Sequence, residues 1–295
     1  MDEETLQSYI KAGKIAAEAL VFGKEQIKKG ASLLTITERI EQKIKQLNGN
    51  LAFPVQLSCN EIAAHFCPEK DDKIMLENQL VSLDIGVHIN GFIGDCACSV
   101  DLSEKYKDLV KASEEALKAA TKILQIGTKI GEIGKTIQET IESFGYKPVK
   151  NLSGHGLSQW NIHDQPTIPN FNTRDETEMK KGMVIAIEPF ATNGSGFIEE
   201  KGDPSVFMMI GKKSVRTGFV RDIQKEIESY NGLPFTSRWI TNKFSEVQAR
   251  YAMNQLKQLG ILHEFPPLVE KQKGIVSQAE NSFLIDDKVI CLTKI

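Results

Sequence analysis

The chain has 295 residues, 41% hydrophobic and 25% charged, with a formal net charge of −3. That is ordinary globular composition with ample material for a core, in one large domain or two small ones. The near-neutral balance, without a dense Lys/Arg tract, gives no electrostatic argument for nucleic acid. No apolar run is long enough to span a bilayer and the acidic start MDEETLQSY is not a signal peptide, so a soluble cytoplasmic protein is expected. Cys59, Cys67, Cys96, Cys98 and Cys291 are odd in number and scattered, which suits reduced thiols. A zinc site drawn from the first four has no C-x-x-C knuckle to support it.

Residues 5–29 place Leu6, Ile10, Ile15, Ala16 and Leu20 at helical spacing and stop at Gly30. Thr35-x-x-Glu38 reads as a capping box for a second helix, with Ile36, Ile40 and Ile44 on one face and Asn48-Gly49 as its stop. Leu51–Leu57 is strand-like but interrupted by Pro54, which argues for an edge or a bulge. Cys59 to His65 reads as a loop ending in one of only five histidines.

Residues 80–101 form the predicted hairpin around Asn90-Gly91, the dipeptide that most readily supplies the positive φ angles of a tight turn. With these two residues at the turn, Ile89 pairs with Phe92, Gly86 with Asp95 and Asp84 with Ala97. Asp84 and Asp95 then share a face as diagonal neighbours, with Cβ atoms roughly 7 Å apart. Two carboxylates that close repel unless protons or a cation sit between them. Taken alone, they read equally well as turn-flanking aspartates on a solvated face. His88, near the turn, reads as a rim or surface residue.

Ser103 is expected to open a helix reaching about Gln125. From Gly127 the chain echoes Gly30–Leu47 at an offset of 97, so that Ile36, Ile40 and Ile44 fall on Ile133, Ile137 and Ile141. With the repeated order of helix, helix, histidine loop and strand, the echo suggests two related halves with a shared site where their sheets meet. In the second half, His155 lies between two glycines, which leaves its imidazole unshielded, and His163 follows eight residues later. Lys181–Pro189 is a buried-type strand ending on Glu188, a carboxylate that must be paired, protonated or metal-bound. Gly274–Ile285 is a further apolar strand with Glu280 at its middle, either in the site or facing outward from an edge. Between the two glutamates, Ile198–Leu262 carries few candidate ligands and reads as an inserted helical unit, with Tyr251, Leu256 and Leu259 among its apolar positions. His263 and Pro266-Pro267 mark the return to the main sheet.

Four carboxylates and one imidazole on or beside strands form an oxygen-rich donor set suited to Mn, Fe, Co or Zn. Four clustered carboxylates need about two dications for neutrality, an arrangement that generates hydroxide at neutral pH and polarises a carbonyl. Hydrolysis is the chemistry expected. His65 and His163 are left over as non-ligand histidines placed for a substrate or an oxyanion. No H-E-x-x-H, G-x-S-x-G or G-x-x-x-x-G-K-[ST] motif occurs.

These residues carry a resemblance over essentially the whole chain. Asn60-Glu-Ile-Ala-Ala-His65, Asp84-x-Gly-x-His-x-x-Gly-Phe-Ile-x-Asp95, Gly154-His155-Gly-Leu with Ile162-His163, Ile187-Glu188-Pro-Phe-Ala-Thr, and Phe265-Pro-Pro with Gln278-Ala-Glu280 together resemble the type 2 methionine aminopeptidases. The likeness is to the compact form, as in archaea, without the charged N-terminal extension of eukaryotic members. It implies an α+β pita-bread fold, a pseudo-twofold antiparallel sheet covered by helices, with the catalytic domain at 1–197 and 263–295. The insertion at 198–262, with Phe235-Thr-Ser-Arg-Trp239, resembles the helical subdomain that defines type 2.

The resemblance also implies a dimetal site in which Asp95 and Glu280 bridge, Asp84 holds one metal, and His155 and Glu188 hold the other. It gives His65 and His163 roles at the scissile peptide and its tetrahedral intermediate, Glu188 a role in proton transfer, and Phe53, Ile162 and Phe265 places around the methionine side chain. The implied reaction is attack by a metal-bridging hydroxide on the first peptide bond of a substrate with a small second residue. The implied partners are nascent polypeptide N-termini, met at the ribosome, for a monomer that requires neither nucleic acid nor a membrane. The chain departs from the family at Cys96, Ala279 and Asn281, which flank ligands without replacing one, and it has no histidine near Val206. A prolidase or aminopeptidase P would carry arginine where this chain has Gln278. An inactive pita-bread binding module would have lost ligands that are all present here.

Overall fold

The computed structural model describes residues 1–294. Helices α1 (Glu3–Gln26) and α2 (Leu33–Gln46) lead into short strands β1 (Asn50–Leu51), β2 (Gln56–Cys59) and β3 (Ile62–Ala64), then the long hairpin of β4 (Leu80–Ile89) and β5 (Phe92–Asp101). Helices α3 (Lys107–Ile123) and α4 (Ile130–Ser143) begin the second half. Strands β6 (Lys147–Pro148), β7 (Ser153–Ser158), β8 (Asn161–Pro169), β9 (Val184–Ile187), β10 (Phe190–Thr192) and β11 (Ile198–Glu200) follow. Next come β12 (Val206–Met209), α5 (Gly218–Glu228), β13 (Phe235–Thr236), α6 (Ser237–Thr241), α7 (Glu246–Gln258) and β14 (Leu262–Phe265). Strands β15 (Leu268–Glu270), β16 (Val276–Gln278), β17 (Asn281–Leu284) and β18 (Ile290–Cys291) end the order.

The hairpin has the register that its turn dictates. Asn90 and Gly91 take φ of 53° and 85°, and the pairs Ile89–Phe92, Gly86–Asp95 and Asp84–Ala97 all form. The internal echo also has a structural counterpart. Ile36, Ile40 and Ile44 of α2 pack with α1 into one core over the hairpin. Ile133, Ile137 and Ile141 of α4 pack with α3 into another, against β9, β10 and β17. The halves join where the backbones of Ala97 on β5 and Glu280 exchange hydrogen bonds, with Glu280 N donating to Ala97 O at 3.0 Å.

Several local expectations need correction. Ser32, not Thr35, caps α2, because its hydroxyl accepts from Thr35 N and so starts the helix one turn earlier. Ser103 does not open α3. The Asp101 carboxylate takes hydrogen bonds from Ser103 N, Ser103 Oγ and Tyr106 N, holding a turn that delays the helix to Lys107. The strand expected over 274–285 is broken into β16 and β17 around Glu280. His88 is buried, its Nδ1 accepting from Gly91 N and its ring edge-on to Trp160. Tyr251 is exposed, and α7 buries Ala249, Ala252, Met253 and Leu256 instead.

Within the stretch expected as an insertion, β11 is hydrogen-bonded to β15, which also pairs with β3. A separate core runs from Phe207 to Leu262 under its own sheet, ordered β13-β12-β14. Helix α6 docks this unit on α2 through the buried Arg238, which donates to both oxygens of Glu41 at 2.7 and 2.9 Å and to Pro68 O. Removing one partner strands a buried charge. Arg238→Met should therefore lower the unfolding free energy by about 3–5 kcal/mol in urea denaturation, and adding Glu41→Leu should recover most of the loss. A single variant as stable as the parent would show that the pair does not hold the unit in place.

Candidate active site

One cavity of about 330 Å³ collects every side chain that the resemblance places in the site. Phe53, His65, Asp84, Asp95, His155, Ile162, His163, Glu188, Phe265 and Glu280 all line it. Asp84 and Asp95 come from the two arms of the hairpin, His155 from β7, Ile162 and His163 from β8, Glu188 from just past β9, and Glu280 from the break between β16 and β17. That break explains how a glutamate inside an apolar run faces the site. Ala279 N bonds to Pro189 O and Glu280 N to Ala97 O, so Glu280 is pinned between the two halves and is 3% exposed.

One ligand atom each from Asp95, His155 and Glu280 lies within 4.8 Å of the others. His155 Nε2 is 3.9 Å from Asp95 Oδ2 and 3.5 Å from Glu188 Oε1. The glycines beside His155 do not leave its ring open, as the spacing alone implied. A Cβ at Gly154 would meet Ala186 O at 2.3 Å and one at Gly156 would meet Gln165 O at 2.1 Å, so these glycines let strands close on either side of a largely covered imidazole.

Burial dominates the electrostatics. It raises the Asp84 carboxyl to about 7, and with the neighbouring carboxylates it pushes Asp95, Glu188 and Glu280 well above the usual range. Burial pushes His155 down to about 3, with His163 adding to the effect, so the ring is neutral and its short contacts to carboxylates are not ion pairs. With Nδ1 3.2 Å from Gly156 O, the neutral ring donates there and turns the Nε2 lone pair toward Asp95 and Glu188. Asp84 Oδ1 and Asp95 Oδ1 are buried without a hydrogen-bond partner, a costly state for carboxylates that a cation relieves. Four carboxylates, two of them with an orphaned oxygen, and one imidazole lone pair make a donor set that fits divalent metal. Among the described residues, the free cysteines do not form such a cluster.

The histidines that are not candidate ligands flank this group. His65 adopts φ of 64°, a conformation uncommon for a non-glycine residue, and its backbone N donates to Gln56 Oε1 at 2.6 Å. Burial, then His163 and His263, push His65 down to about 4, and its Nδ1 is buried without a partner. His163 sits at an exposed position of β8, yet its ring is pressed edge-on to His155 with centroids 4.8 Å apart, and loss of hydration lowers its pKa. Phe265 ties the group together, with its ring 5.3 Å from His65 and 6.4 Å from His163.

Sequence reasoning missed the residues that support this set. Gln278 Nε2 donates to Asp84 Oδ2 at 3.3 Å and lies 3.5 Å from Glu280 Oε2, bracing a carboxylate of β4 and the one at the break after β16. Ser282 Oγ accepts from Asp95 N and donates to Asp95 O, fixing the backbone under that ligand. His263 stands 4.6 Å from Phe265 at the rim. In the sequence Gln278 stands out only as the position where a prolidase carries arginine, and Ser282 carries no signal.

Comparison with known proteins places the chain in a family. Metallopeptidase family M24 matches residues 7–220. The methionine aminopeptidase of Methanocaldococcus jannaschii is 40% identical over 295 residues, covering 99% of both chains. That of Archaeoglobus fulgidus is 39% identical over 289 residues, covering 97% of both. The crystal structure of the Thermotoga maritima methionine aminopeptidase shares the pita-bread fold at a TM-score of 0.74 and 23% identity, over 100% of this chain and 98% of that one. The chain belongs to the methionine aminopeptidases of metallopeptidase family M24.

Proposed function

We propose that this chain is a type 2 methionine aminopeptidase, a dimetal hydrolase that removes the N-terminal methionine from nascent proteins and peptides with a small second residue. The single observation that carries the reading is that Asp84, Asp95, His155, Glu188 and Glu280 line one pocket together with Phe53, Ile162 and Phe265. The type 2 assignment is supported by the separate core between Phe207 and Leu262. We take 198–262 as the inserted subdomain, and the remainder, 1–197 and 263–295, as the catalytic body to which β11 stays hydrogen-bonded.

Divalent ions held by the five ligands would supply an activated water and polarise the scissile carbonyl; Co, Mn, Fe and Zn all suit the donor set. Phe53, Ile162 and Phe265 receive the methionine side chain and exclude water from it. His65 and His163, kept neutral by burial, offer N–H groups to the peptide carbonyl and to the oxyanion that develops on it. Glu188, in the same lining, takes up the proton that the attacking water releases and passes it to the leaving amine. The enzyme would act as a cytoplasmic monomer on chains emerging from the ribosome. No helix among the described residues is long and apolar enough to cross a membrane.

The test is a Met-Xaa-Ser peptide series with the metal-loaded protein. Glycine, alanine or serine at the second position should release methionine, bulky residues should not, and an Ala-Pro peptide should stay intact. Cleavage of the Ala-Pro peptide in preference to the methionine series would favour a prolidase-like activity instead.

A further inference from the structure

A second cavity, of about 470 Å³, shares Pro234 with the active-site cavity, and none of the site's candidate ligands lines it. The chain has only two tryptophans, and both line it, Trp160 from the β7–β8 turn and Trp239 from α6. Tyr230 and His88 complete an aromatic lining, packed edge-on to Trp239 at 5.6 Å and to Trp160 at 4.8 Å. The cationic residues in the lining are Lys45 and Lys243, and among the described residues no carboxylate lines the cavity. Lys243 is engaged by Glu226 from outside the lining, whereas Lys45, exposed at the end of α2, makes no ion pair among the described residues.

Trp160 is also held in an unusual way. It takes φ of 60°, rare for a bulky aromatic residue, and is locked there by a 2.9 Å bond from its N to Gly91 O at the hairpin tip. Strain of this kind persists where surrounding structure imposes it, and it clusters at binding sites.

Aromatic side chains beside Lys45 match a nucleobase joined to a phosphate, with the base on the rings and the phosphate at Lys45, since Glu226 already holds Lys243 and Tyr230, and Glu41 holds Trp239. We propose that this cavity binds such a unit, as a free nucleotide or as one nucleotide of a single-stranded RNA. The site is local, which is compatible with an overall charge that gives no sign of broad nucleic-acid binding. Leu233, next to the shared wall at Pro234, packs with Phe53 and Ile162, so an occupant would bear on the methionine pocket.

The tryptophans are their own probes. The full chain is stripped of metal, so that phosphates cannot act by chelation and the peptidase reading is not at stake, and its tryptophan emission is followed while AMP, hexa-adenylate or ribose 5-phosphate is added. AMP should quench saturably and ribose 5-phosphate should not, and Lys45→Glu should weaken AMP binding about tenfold with an unchanged circular dichroism spectrum. Hexa-adenylate binding at least about tenfold tighter than AMP would identify an RNA strand as the source, and equal binding a free nucleotide. Absence of quenching by both, ribose 5-phosphate binding as well as AMP, or an unaffected Lys45→Glu variant would each overturn the proposal.

Discussion

His163→Ala should lower kcat by about 10²-fold or more while the protein keeps its full complement of metal, the loss typical of a removed oxyanion donor. The residue stands on β8 beside the candidate ligand His155 without joining it, since the cluster of converging ligand atoms is Asp95, His155 and Glu280. Its lowered pKa keeps it neutral, so across the neutral range it acts as a hydrogen-bond donor rather than as a fixed charge. The loss should therefore fall on kcat more than on KM and should vary little with pH above neutrality. Metal analysis by mass spectrometry separates this role from a ligand's. Near-normal kcat with metal retained would remove His163 from the chemistry.

Glu280→Gln should have two effects of opposite sign. In the presence of metal, activity should fall by more than about 10²-fold, beyond the 10–100-fold typical of residues that only support a ligand, and the bound metal should fall with it. In metal-free protein the same change should stabilise the fold near pH 7. The folded-state pKa of Glu280 is raised above its unfolded value by burial, then by Asp95, Glu188 and Asp84, so the folded state binds the proton more tightly. Its contribution to stability is then fully present below the unfolded pKa and is lost as pH rises. Glutamine carries no charge and avoids that loss. Thermal melts of the two metal-free proteins should differ most near pH 7 and converge as pH falls toward 4.5, the ordinary value for this group. A variant that melts below the metal-free parent at pH 7 would show that Glu280 stabilises the fold without metal.

The parts of the fold that were legible in the sequence are those set by local rules with few alternatives. Asn90-Gly91 permits one tight turn, the turn permits one register, and the register brings Asp84 and Asp95 to the same face. The isoleucine triplets of α2 and α4 could be read as core because a 3.6-residue period leaves them one face. What could not be read depends on partners distant in sequence. The cap of α2 is the local exception, since Ser32, three residues before Thr35, is an equally good cap residue and accepts the Thr35 N–H. Residues 274–285 look like one strand because the break at Glu280 is imposed by Ala97 and Pro189. His88 looks like a rim residue because the ring that covers it, Trp160, lies far along the chain. Gln278 supports two ligands through a long-range contact to Asp84 for which composition and spacing give no signal.

The most direct test of the dimetal peptidase reading is restoration of activity to metal-free protein. The chain is stripped with a chelator, a Met-Ala-Ser peptide is added, and Mn, Co, Fe or Zn is returned separately while free methionine is measured. Release should be absent from the stripped protein and return with at least one ion, ranking the metals by rate. A folded protein that releases no methionine with any ion would contradict the account and direct attention to Cys96, Ala279 and Asn281 beside the ligands.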